Sequence, residues 1–197
     1  MVSEPVPDPE LGAALVSLEL ADLRLRPWWA AHWVAAGLGG ERLAELAGLG
    51  GVEREVSDLW PLALAELGVA TPVVGARRTA APWMARQVLE GRRDLPWLQR
   101  ELWPYREDTT DDDEALDGVV YAVDELLGLL ERAELARRPP RRRRGLLWRG
   151  RVPEVSEQQE RESRALVDAV VVALADGGVE AAAAVLDARS AGTVGGR

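Results

Sequence analysis

The sequence predicts an all-α protein: an irregular multi-helix bundle with a Trp-rich core and a C-terminal α-hairpin. Three observations predict it. Apolar residues recur at three- and four-residue steps, most clearly in Leu116, Val119, Val120, Val123, Leu126, Leu127 and Leu130. Gly pairs and Pro punctuate these stripes where helices would stop. Apolar residues make up 47% of the 197, enough for a core, and half of the eight Trp fall within residues 27–69. The expected organisation is a flexible lead-in over 1–10, a helical domain over 11–135, an Arg/Pro-rich linker over 136–153, a helical pair over 154–189 and a disordered tail over 190–197.

Pro5, Pro7 and Pro9 argue against a helix in the lead-in. Residues 11–23 read as the first helix, with Ala14, Leu15 and Leu18 on one face; weak alternation leaves a strand over 18–25 as the alternative. Pro27 suits the first turn of the next helix. That helix carries Trp28, Trp29, His32 and Trp33, is apolar nearly all round and is expected to be deeply buried, with Gly39-Gly40 as its stop. A short helix over 41–47 follows. Another spans about 53–67, with Val56, Leu59, Trp60, Ala63, Leu64 and Leu67 inward, a break near Pro61 and Gly68 just past its end.

Residues 76–90 read as a helix, with Pro82 moving its start toward Ala81. A short amphipathic helix over 97–103 ends before Pro104. The acidic run 107–117 lacks the spacing of a calcium loop and reads as the capped start of a helix, with Thr109, Thr110 or Asp111 as the cap. The stripe over 115–132 must be covered, and the Trp-rich helices are its expected partners. A helix from about Ser156 to Ala175, a stop at Gly177-Gly178 and an Ala-rich helix over 179–188 complete the chain.

Chemistry is tested and found thin. There is no Cys, so no disulfide or thiol chemistry, and one His, so no His/Cys metal site. There is no Lys, hence no phosphate loop, and no nucleophile elbow. No catalytic residue, metal or cofactor is assigned. The N-terminus does not resemble a signal peptide, no apolar run approaches the ~18 residues of a membrane span, and a cytoplasmic location is expected. The net charge is −9, unevenly spread: residues 137–151 hold eight Arg and no acid, leaving 16 Arg against 33 acids, or −17, elsewhere. So acidic a body repels nucleic acid and membrane phosphate and favours a basic partner.

Two candidate sites remain. Trp28, Trp29, His32 and Trp33 could line a ligand pocket, His32 acting as base or ligand group, or could simply be core. Arg141, Arg142, Arg143, Arg144 and Trp148 could form a nucleic-acid arm, with Trp148 stacking on a base, or a linker neutralised by the acidic body.

The pattern RPWWAAHWVAAGLGGERLAELAGLGGVEREVSDLWPLALAELGV, followed by APWMARQVLEGRRDLPWLQRELW, resembles small uncharacterised helical proteins of high-GC Gram-positive bacteria. The likeness covers about residues 11–130 and implies a helical fold without a transferable activity. Small acidic proteins of this size also look similar to immunity partners of bacterial toxins. The expected function is therefore a non-enzymatic protein–protein interaction, with a nucleic-acid arm or a Trp-lined ligand pocket as alternatives.

Overall fold

The computed structural model describes residues 6–71, 73–103, 114–137 and 155–194. Those residues form α-helices and one 3-10 turn, with no strand among them. The described chain divides between Ala80 and Ala81 into two compact units. The division falls inside the segment 11–135 that composition presents as one domain.

In the first unit, α1 (Pro9–Ser17) begins and ends earlier than expected. Pro9 does not prevent a helix because it sits in the first turn, where a missing N–H loses no bond. Asp8 caps that turn, accepting from the Leu11 N–H at 2.8 Å. The lead-in is also tied down at Pro7, whose carbonyl accepts from the Trp33 indole N–H at 2.8 Å. A 3-10 turn at Leu23–Leu25 occupies the place of the alternative strand.

α2 (Arg26–Ala35) stops before Gly39-Gly40 because Gly37 already takes the left-handed position, at φ 82. The Gly37 and Leu38 N–H groups then bond the Val34 and Trp33 carbonyls and close the end. α3 (Glu41–Ala47) packs on α2 and on α4 (Glu55–Glu66). Trp29, Trp33 and Trp60 form the buried cluster of this unit, with ring centroids 5.9 to 6.4 Å apart. α4 buries five of the six residues in its predicted stripe; the sixth, Leu67, follows the last helical residue and is half-buried. Pro61 does not break it: Pro61 and Ser57 both face solvent, so the carbonyl that loses its intrahelical bond can turn to water.

The start of α3 is capped from outside the helix. The Glu66 carboxylate accepts from the N–H groups of Arg42 at 3.0 Å and Leu43 at 3.1 Å. Gly40 makes room for it, since a Cβ there would lie 2.5 Å from Glu66 Oε2.

α5 (Ala76–Leu89) carries the boundary between the units and runs through Pro82, starting where residue periodicity, not Pro82, puts it. In the second unit, α6 (Leu95–Leu102) is capped by Asp94, which accepts from the Trp97 N–H at 2.9 Å. α7 (Glu114–Arg137) packs on α8 (Glu157–Val194) and on α6, which corrects the expectation that the Trp-rich helices cover it. Val119, Val120 and Val123 meet Leu98 and Leu102 on one side and Val170, Val171 and Leu174 on the other. An apolar stripe requires a cover but does not name it.

Ser156 opens α8 with a reciprocal cap: its hydroxyl accepts from the Gln159 N–H and the Gln159 side chain accepts from the Ser156 N–H, each at 3.1 Å. The helix breaks at Gly178 (φ 73, ψ −162), giving the two C-terminal helical segments expected around Gly177-Gly178. Arg86 of α5 donates to the Ala175 carbonyl at 3.1 Å, in the turn before the break. The second segment continues to Val194, past the expected end at 188 and into the tail expected to be disordered; residues 195–197 lie outside the described residues. Over Glu157–Arg189 the chain is long and apolar enough to cross a membrane, with a window of mean hydropathy 1.9 of which 33% is buried. This corrects the expectation that no apolar run approaches that length: Asp176 and Glu180 are widely flanked by Ala and Val, and α8 packs on α7.

Candidate functional site

α2 separates the four residues of the candidate pocket. Trp29 and Trp33 are each 4% exposed and point into the cluster with Trp60. Trp28 is 41% exposed on the other side, and exposed His32 stands edge-on to its indole with centroids 4.5 Å apart. The four therefore do not line one pocket. The helix is also not buried all round, because α3 and the 3-10 turn cover only part of it. The outer side carries Trp28, Ala31, His32, Val34 and Ala35, all exposed, with exposed Leu25 before the helix and Leu38 after it.

Arg26, the first residue of α2, is a functional candidate that the sequence reading passes over. Its side chain is buried with the guanidinium 5.5 Å from the centre of the Trp60 ring, and its Nε has no hydrogen-bond partner among the described residues. Burial pushes the guanidinium below its usual value. Attraction to the face of Trp60 offsets part of the desolvation. No local sequence signal marks this residue, since Arg26 reads as one more link residue in LRLRP.

The second unit holds a groove that no sequence motif announces. Pro96 and Gln99 of α6 form one wall, α7 another, and Glu160 and Arg164 of α8 close the far end. Gln99 donates to the Asp124 carboxylate. Arg137 donates to Glu160 through both terminal nitrogens, and Arg164 approaches the same carboxylate at 3.4 Å. The hydrogen bonds from Arg137 hold the Glu160 carboxyl below the ordinary carboxylate value. No group of His, Asp and Glu able to hold a metal ion occurs among the described residues.

The candidate arm, Arg141 to Arg144 with Trp148, lies outside the described residues, as do the expected caps Thr109, Thr110 and Asp111. Searches of family models, of curated proteins and of solved structures found no match for this chain.

Proposed function

We propose that this chain is a non-enzymatic, cytoplasmic interaction protein whose basic protein partner docks on the outer side of α2. One observation carries the reading: Trp28 stands 41% exposed beside His32, and Leu25 and Val34, each 39%, and Leu38, 44%, are also exposed in or next to α2. Trp is among the residues that most often dominate binding energy once a partner buries them. The charge favours a basic partner, with 33 acids against 24 Arg overall. A complementary field speeds encounter and rejects acidic competitors. An immunity-type protein that masks a basic toxin is one form of this arrangement.

The test is affinity capture of the tagged full chain from its native host, with and without nuclease, beside a Trp28→Ser variant. A single stoichiometric protein that survives nuclease and is lost with Trp28→Ser is the expected result. Recovery unchanged by Trp28→Ser removes the α2 face from the account. Recovery that collapses with nuclease moves the function to the Arg arm.

A further inference from the structure

We propose that the groove formed by α6, α7 and α8 is a docking site for an extended cationic peptide segment. The proposal concerns the second unit alone and does not rest on the α2 face. Two adjoining hollows of about 610 Å³ and 530 Å³ share Pro96 and Gln99. One end is aromatic: Trp103 lines it, and the ring of Tyr121, 58% exposed, stands edge-on to Trp103 with centroids 5.3 Å apart. Leu127 and Leu130 give the other hollow an apolar strip. The remaining α7 positions in the lining are Asp124, Glu131, Glu134 and the terminal Arg137.

The charge of this lining selects the occupant. Arg137 and Arg164 are both engaged by Glu160, and Arg100 pairs with Glu101 at 3.1 Å. Asp124 accepts from the neutral amide of Gln99, not from an Arg. Glu131 makes no ion pair among the described residues, although it lines the hollow and is exposed. The lining is net negative by one, Asp124, Glu131, Glu134 and Glu160 against Arg100, Arg137 and Arg164, and α7 and α8 together carry thirteen acids against five Arg. An anionic ligand is therefore disfavoured along this wall and a cationic one favoured.

The spacing selects an extended chain over a single small cation. Asp124 and Glu131 are seven residues apart on one helix, about 10 Å along its axis. That is too far for one ion and is about the span of three residues of an extended polyproline-II peptide, which rises about 3.1 Å per residue and, with three residues per turn, puts positions i and i+3 on one face. Basic residues at positions i and i+3 of such a peptide reach the two carboxylates. A proline or aliphatic residue just before the first one reaches Trp103 and Tyr121. Pro and Arg chemistry of this kind suits an aromatic platform beside carboxylates.

The test titrates an end-blocked synthetic peptide, Pro-Pro-Arg-Ala-Ala-Arg, into the full chain, followed by Trp fluorescence and calorimetry. The expected result is saturable one-to-one binding that weakens with added salt and is absent when citrulline replaces both Arg. Glu131→Arg, on an exposed helix surface, is expected to lower affinity at least tenfold with an unchanged circular dichroism spectrum. Glu55→Arg, exposed on α4, makes the same change in net charge and is expected to retain affinity. Trp28→Ser is also expected to retain it, which separates this site from the α2 face. Equal losses in Glu131→Arg and Glu55→Arg, or no saturable binding of the peptide, would overturn the proposal.

Discussion

At the scale of single residues, neighbouring Trp side chains do opposite things. Trp33 is buried against Trp29 and Trp60 and donates to the Pro7 carbonyl, so Trp33→Ala removes both packing and an anchor. The expected cost is about 3–5 kcal/mol in a urea denaturation series. Trp28→Ala leaves a surface position and is expected to change stability by no more than about 0.5 kcal/mol. Equal costs for the two would contradict the inner and outer assignment. Arg26 supplies a second residue-scale prediction. Its guanidinium lies over Trp60, and its buried Nε makes no hydrogen bond among the described residues. Arg26→Met is therefore expected to keep or raise the urea midpoint, because an apolar chain of similar length avoids desolvating a charge. The sequence shows that residues 28, 29, 32 and 33 lie on two adjacent stripes. It does not show which stripe faces inward, because both are apolar and only α3, α4 and the 3-10 turn decide it.

At the scale of elements, the helix ends hold most of what is specific. Glu66→Ala removes the acceptor for two N–H groups of α3 and is expected to cost about 0.5–2 kcal/mol. Gly40→Ala pushes the same carboxylate away and is expected to cost a similar amount alone, but little more once Glu66 is already Ala. Additive losses in that cycle would show that Gly40 serves something else. The Arg137–Glu160 pair fastens the end of α7 to the start of α8. Because the Glu160 carboxyl lies below its unfolded value, its contribution is complete above about pH 4.5 and is lost as pH falls through the folded value. The melting temperatures of the wild type and Glu160→Gln are therefore expected to differ near neutrality and converge in acid. A gap that stays constant through that range would contradict the pairing. Elements with one-sided stripes were legible in the sequence: α3, α4 with its Gly68 end, α6 and the break at Gly178. Misplaced boundaries have local causes. Pro9 lies in a first turn, Pro61 has a solvent-facing neighbour at the freed carbonyl, and Gly37 closes α2 ahead of Gly39.

At the scale of the whole molecule, periodicity gave the helices but not their partners. The α7 stripe is covered by α8 and α6, a pairing set by contacts across the undescribed residues between 137 and 155 and therefore invisible to local spacing. The groove beside it needs three helices and was not legible for the same reason. Net charge, by contrast, is read directly from composition and belongs to the molecule as a whole. Association with a basic partner is expected to slow steeply as ionic strength rises, while dissociation, governed by the apolar α2 face, changes little. Stopped-flow or surface-based kinetics between low and high salt would check this. The most direct test of the central claim is the dissociation constant of the captured partner for wild type and Trp28→Ala, measured by calorimetry beside a thermal melt. The expected result is a loss of about 2 kcal/mol or more, some thirtyfold, with the melt unchanged. Affinities within twofold of each other would contradict it.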